Sequence, residues 1–166
     1  MKNIILIGMP GCGKTTFGQL LADDLNMPFY DADEILEKRE GKTIKELFAV
    51  SEEAFRDAES RTVEYLVKFD GAVIATGGGV VLRSKNMELL KQNGVIVFID
   101  RKPSNIISCI NSQVRPLLAD DRMKLFDLYN QRIELYKQYA DYIIGNNGSS
   151  AETLTKLKAY AMEVRQ

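Results

Sequence analysis

The sequence predicts an α/β fold, a three-layer sandwich in which a five-stranded parallel sheet lies between helices. Two observations carry that expectation. Short apolar runs alternate with longer amphipathic stretches along almost the whole chain. Such alternation requires right-handed crossovers, and these bury a parallel sheet on both faces. The length of 166 residues suits one domain, 1–166, with a full core.

The elements follow in order. "NIILIG" (3–8) reads as a strand buried on both faces, and a helix follows from Lys14 to about Leu25, with Phe17, Leu20, Leu21 and Leu25 on one face. "PFYD" (28–31), "AVIATGGG" (72–79), "GVIVFID" (94–100) and "DYII" (141–144) are the other four strands. Helical patterns fill 32–40, 43–50, 52–69, 84–93, 103–111, 123–140 and 151–165. Thr43 with Glu46 and Ser149 with Glu152 have capping-box spacing, and Pro103 suits a first helical turn. The least patterned stretch, about 111–123, is a candidate mobile loop.

Composition narrows the function. Net charge is -1 and no basic stripe is present, so a nucleic-acid partner is not expected. The chain has no histidine, which removes Ser-His-Asp chemistry, histidine metal sites and a histidine base. Acid–base work falls to Asp, Glu, Lys or Tyr. Cys12 and Cys109 have no metal or disulfide-framework spacing, which fits a reducing compartment. The N-terminus has no signal-peptide pattern and no apolar run is long enough for a membrane span. The expectation is a cytoplasmic protein with no membrane partner, and its near-neutral surface fits a monomer.

Gly8-Met9-Pro10-Gly11-Cys12-Gly13-Lys14-Thr15 matches GxxxxGK[ST] between a strand and a helix. Its glycines let backbone N–H groups converge on phosphate oxygens at a helix N-terminus. Gly11, Cys12, Gly13, Lys14, Thr15 and Thr16 are therefore the expected ATP- or GTP-binding residues. Lys14 reaches the β- and γ-phosphates, and the Thr15 hydroxyl suits Mg²⁺. Cys12 reads as a small loop residue, with a reactive thiol as the alternative.

Asp31 and Asp33 form "DAD" past the second strand, on the edge that carries the phosphate loop. Two readings stand side by side. Asp31 holds Mg²⁺ while Asp33 meets a substrate, or Asp33 caps a helix and Asp31 is a turn residue. Asp100 ends an apolar strand, where it is either the metal-holding carboxylate or a plain strand-end residue. Gly77, Gly78 and Gly79 mark a close approach to the backbone, read as a ligand-facing loop.

Arg56 is the residue type that grips a carboxylate by two parallel hydrogen bonds, and Glu59 at i+3 is placed to fix it. Arg115 in the unpatterned loop is placed to close over a nucleotide and to stabilise charge on a transferring phosphoryl group. Arg132 by itself reads as a surface residue.

The set "GMPGCGKTT", "YDAD", "FRDAE", "ATGGG", "VRPLL" and "QRIELYKQYAD" resembles shikimate kinase over nearly the full chain. That family consists of small phosphate-loop kinases related to nucleoside monophosphate kinases. The resemblance implies ATP-dependent phosphorylation of the shikimate 3-hydroxyl, with one Mg²⁺ accompanying ATP. It implies shikimate binding by Asp33, Arg56, Glu59, Gly77, Gly78, Gly79 and Arg132, and a catalytic set of Lys14, Asp33 and Arg115. It places Arg115 on the ATP phosphates, makes 111–123 a lid and 32–60 the acceptor segment, and gives Thr15 and Asp31 to the magnesium ion. Pro10, Phe48, Phe55 and Leu117 form the apolar wall around the ring. One departure is visible: a basic residue carried by many members seven positions before the lid arginine is Ser108 here. The loop "GNNGSSAE" then offers backbone contacts to the adenine instead. Two rivals share the donor loop: a kinase for gluconate or a nucleoside monophosphate, and a nucleotide-dependent regulatory module.

Overall fold

The computed structural model describes residues 1–111 and 119–165. Its sheet contains β1 (Asn3–Ile7), β2 (Phe29–Asp31), β3 (Val73–Ala75), β4 (Gly94–Asp100) and β5 (Tyr142–Gly145). All pairings are parallel, in the order β2-β3-β1-β4-β5. The helices are α1 (Lys14–Leu25), α2 (Ala32–Glu40), α3 (Ile44–Val50), α4 (Glu52–Leu66), α5 (Ser84–Gln92), α6 (Pro103–Asn111), α7 (Ala119–Tyr139) and α8 (Ser150–Arg165). The expected five-stranded α/β architecture is therefore present.

The central strands read as unbroken apolar runs because helices cover both faces. Ile4, Ile5, Leu6 and Ile7 on β1 and Ile96, Val97, Phe98 and Ile99 on β4 are all buried in one core. A second, smaller core of Leu36, Leu47, Phe55 and Ala58 joins α2, α3 and α4, with Ile44 packed against it. The segment 32–60 thus has apolar packing of its own beside the sheet.

Local signals explain several boundaries. The Thr43 hydroxyl accepts from Glu46 N at 3.1 Å, the forward bond of a capping box, and itself donates to the Glu46 carboxylate. Pro103 opens α6. The third strand is shorter than its apolar run. It ends at Ala75, and Thr76 turns both its N–H and its hydroxyl onto the Leu6 carbonyl. The glycines that follow are turn, not strand, and lead into a 3-10 turn at Val80–Leu82 that the periodicity did not reveal.

Register aligns the strand ends. Ala75 faces Leu6 and Asp31, Phe98 faces Ile7, and Gly145 faces Asp100. All five carboxyl ends therefore lie along one edge, where open parallel sheets bind ligands.

Candidate active site

Each strand delivers a distinct piece of that edge. After β1, the phosphate loop packs directly on β4. A Cβ on Gly8 would lie 2.6 Å from the Ile99 carbonyl oxygen, so no side chain fits there. Gly8, Gly11 and Gly13 all have positive φ, and Gly13 is the left-handed residue that starts α1. Lys14 folds back over the loop, with Nζ donating to Gly8 O at 2.7 Å and Met9 O at 2.9 Å. Its remaining close partner is the Cys12 sulfur at 3.7 Å, a weak acceptor that a phosphate oxygen replaces with gain. Cys12 is fully buried, which makes it the small loop residue of the first reading.

After β2, the two aspartates divide their work in a way neither sequence reading fully gave. Asp31 caps α2: its Oδ1 accepts from Asp33 N at 2.9 Å and Glu34 N at 3.3 Å. Its Oδ2 accepts from the Thr15 hydroxyl at 2.7 Å. The reading that makes Asp33 the cap is corrected: Asp31 takes that position because its backbone is extended, and Asp33 is left facing the cleft. Burial pushes the Asp33 carboxyl above the ordinary carboxylate range. Asp31 adds to the rise, and Lys14 opposes it.

After β3, the glycine turn is pressed from three sides. A Cβ on Gly77 would meet Glu59 Oε2 at 2.9 Å and Asp33 Oδ1 at 3.1 Å. On Gly78 it would meet Pro10 Cδ at 2.8 Å, and on Gly79 the Arg56 guanidinium. The turn therefore packs on the phosphate loop at one side and on three charged side chains, Asp33, Arg56 and Glu59, at the other. Because the Pro10 ring has little freedom to yield, Gly78→Ala is expected to raise KM for both substrates, roughly tenfold each. Steady-state kinetics with each substrate varied in turn checks this, and a change confined to one KM would show that the contact serves one side only.

Arg56 Nη1 donates to Glu59 Oε1 at 2.9 Å, and Glu52 stands 3.7 Å from Nη2. The Arg56 guanidinium also lies 4.9 Å from the Phe55 ring centroid, and Phe55 stacks on Phe48 with centroids 4.4 Å apart. Burial raises the Glu59 carboxyl above its ordinary range, while Arg56 and, more weakly, Arg132 pull it down. Arg132 is half-buried and acts on Glu59 and Tyr136, so its reading as a surface residue is overturned. Helical spacing explains this: Arg132 lies about one turn before Tyr136, and Tyr136 bonds the glycine turn.

Tyr136 and Asn146 are among the residues at this edge that the sequence did not single out. Tyr136 is fully buried, stacks on Phe98 at 5.0 Å and donates its hydroxyl to Gly78 O at 2.6 Å. Burial pushes its phenol up to about 12, with Arg132 opposing. Asn146, just past β5, donates to Cys12 O at 2.9 Å and accepts from the Thr153 hydroxyl at 3.0 Å. It ties the phosphate loop to α8. Asp100, by contrast, is a strand-end residue: Oδ1 accepts from Tyr129 at 3.0 Å, and burial with that bond pushes the Tyr129 phenol up to about 12. Ser108 is exposed, and its hydroxyl bonds back to Ser104 O at 3.0 Å.

A cleft of about 520 Å³ runs between these pieces, lined by Pro10, Gly11, Gly13, Lys14, Thr15, Thr16, Asp31, Asp33 and the Thr76–Gly78 turn, with Arg101 and Ile106 closing one wall. Three buried side-chain polar atoms among the described residues have no partner: Arg56 Nε, Glu59 Oε2 and Arg101 Nε. All three belong to residues at this edge. Arg115, Leu117 and most of the expected lid, 112–118, lie outside the described residues.

The chain is similar to known proteins over nearly its whole length. The family model for shikimate kinase matches residues 10–161. A shikimate kinase of Clostridium botulinum is 45% identical over 159 residues, covering 95% of this chain and 96% of the relative. The solved structure of shikimate kinase from Acinetobacter baumannii in complex with shikimate superposes with a TM-score of 0.88 at 33% identity, covering 98% of this chain and 94% of the other. A gluconokinase from Sinorhizobium meliloti superposes with a TM-score of 0.61 at 14% identity over 99% and 98% of the two chains, which shows a shared fold alone.

Proposed function

The chain belongs to the shikimate kinase family, and from that premise we propose how its cleft carries out the reaction. The enzyme phosphorylates shikimate with ATP, a step of aromatic amino acid biosynthesis, giving 3-phosphoshikimate and ADP. The reading is carried by one observation: the buried Arg56–Glu59 pair keeps Arg56 Nε and Glu59 Oε2 unpartnered beside the glycine turn. Buried polar atoms without partners are costly in a native fold. A small ligand carrying a carboxylate and several hydroxyls satisfies them.

In this reading the acceptor lies over Gly77, Gly78 and Gly79, and Arg56 and Arg132 hold its carboxylate. Asp33 takes the proton of the attacking hydroxyl, since it faces the cleft and burial raises its proton affinity. Lys14 and the loop amides of Gly11, Cys12, Gly13, Thr15 and Thr16 hold the donor phosphates, with Arg115 contributing from the lid. Asn146 and Tyr136 are positioning residues that fix the two loops. Phosphoryl transfer through a loose transition state asks chiefly for alignment and charge neutralisation.

The residues present fit a magnesium ion that arrives with the nucleotide. Thr15 and Asp31 place two hard oxygens in contact, and no group of three or more metal-binding acids or thiols exists among the described residues. That is the donor set of an ion held mainly by phosphates and water. Thr15 and Asp31 would hold it, and when bound it neutralises charge between the β- and γ-phosphates. The enzyme works in this reading as a cytoplasmic monomer of one kinase domain, with 32–60 as its acceptor segment and 111–123 as its lid. The separate small core under 32–60 supports that division.

A coupled ADP-release assay with shikimate, gluconate, UMP and no acceptor tests the reading. The expected result is release with shikimate alone. Release with gluconate or UMP but not with shikimate would replace the acceptor, and release with none would leave only nucleotide binding.

A further inference from the structure

We propose that Arg101 is a polyphosphate-contacting residue of the donor site, a second fixed cation that works beside Lys14. The inference rests on the kinase reading of the cleft and adds a residue to its donor side.

Arg101 is the first residue past β4, and β4 pairs with all five residues of β1 through Gly94–Phe98. Because Gly8 packs on Ile99, a side chain leaving the end of β4 meets the phosphate loop within a few residues of its start. Arg101 does so: Nη1 donates to Gly11 O at 3.3 Å, and the side chain lines the cleft with Lys14 and Thr15. That bond is long for a guanidinium donor. Nε of the same group is buried without a partner, and no carboxylate lies within ion-pair distance among the described residues. A half-buried guanidinium with one long bond, one shielded free donor and no counterion among the described residues is poorly satisfied as a structural strut.

The charge around the cleft points the same way. Its described lining carries two carboxylates, Asp31 and Asp33, and two cations, Lys14 and Arg101. Lys14 already gives two of its three donors to loop carbonyls. A triphosphate entering this space meets repulsion from the aspartates, and the guanidinium of Arg101 is the group with donors to spare. Its planar fork matches phosphate oxygens.

The test compares the parent enzyme with Arg101→Met and Arg101→Lys in competition binding. Unlabelled ADP and inorganic tripolyphosphate displace a fluorescent ADP analogue, with magnesium present and no acceptor. Arg101→Met is expected to weaken ADP and tripolyphosphate by the same factor, roughly ten- to a hundredfold, and Arg101→Lys to recover part of it. Shikimate affinity of the nucleotide-free enzyme should stay within twofold. Weakened ADP with unchanged tripolyphosphate would assign Arg101 to the base or ribose and overturn the proposal. So would unchanged affinity for both, which would make Arg101 only a tie to Gly11, or failure of tripolyphosphate to compete on the parent. A uniform loss of ADP, tripolyphosphate and shikimate binding in Arg101→Met, not recovered by Arg101→Lys, would mark a fold defect and overturn it too. Acceptor-dependent ADP release by the parent is measured separately, so its absence would refute the acceptor assignment without deciding the binding arm.

Discussion

Replacing Asp33 by asparagine is expected to lower turnover by roughly 10²–10⁴-fold, the range of a positioned general base, while ATP affinity changes little. The substitution keeps the shape of the side chain and removes its ability to accept a proton. Asp31, not Asp33, carries the helix cap and the Thr15 bond, so the donor side stays intact. The pH profile sharpens the test. Burial and Asp31 raise the Asp33 carboxyl, and the ionised form is the base. Turnover of the parent therefore falls as pH drops through that raised value, and the asparagine variant loses this acidic limb.

Stability moves in the opposite sense. The folded-state value of Asp33 lies above its ordinary 3.8, so the folded chain holds that proton more tightly than the unfolded one. The stability this provides is complete below about 3.8 and is lost as pH rises through the folded value. The asparagine variant does not titrate there. It should melt higher than the parent at neutral pH, and the difference should shrink in acid. Near-parental turnover in the variant would remove Asp33 from proton transfer, and a lower melting temperature at neutral pH would contradict the desolvation argument.

Arg56→Ala should raise KM for shikimate on the order of a hundredfold, as expected when one partner of a buried charged pair is truncated. It also strands Glu59, whose side chain is 6% exposed and whose Oε2 already lacks a partner. The loss of affinity and the loss of stability are separable. Glu59→Gln added to Arg56→Ala removes the stranded charge and should restore the melting temperature without restoring KM. Arg56→Lys should remain impaired, because an ammonium cannot offer the two-pronged edge that a carboxylate accepts. Recovery of KM in the double variant would show that Arg56 serves packing and not substrate.

These expectations show what was legible in the sequence. The phosphate loop was readable because its glycines and Lys14 obey a local rule: spacing alone brings backbone N–H groups together. The sheet was readable because burial on both faces leaves runs such as "NIILIG" without polar interruptions. The "DAD" pair was readable only in part. Either aspartate has capping chemistry, and the choice depends on which backbone is extended when β2 meets α2. Tyr136, Asn146 and Arg101 were missed for one shared reason. Each bonds a backbone carbonyl of a distant loop, and a carbonyl leaves no trace in residue identity. A faint signal existed for Asn146, an amide directly after the last strand on the ligand-binding edge. Arg132 needed the three-dimensional register of α7, because nothing on its own helix separates it from a solvated arginine.

The contact between Pro10 and Gly78 has a consequence for how the two substrates find the enzyme. In the proposed reading the proline belongs to the loop that holds the donor, and the glycine to the turn that holds the acceptor. A shift of either element displaces the other, since the two are within van der Waals reach and Tyr136 pins the turn from behind. Occupancy on one side is then expected to change affinity on the other. Thermodynamic linkage makes that effect mutual: whatever factor ATP applies to shikimate binding, shikimate applies to ATP. In the proposed reading the cleft works as one coupled binding unit, and the Pro10–Gly78 packing is the route by which unlike ligands sense each other.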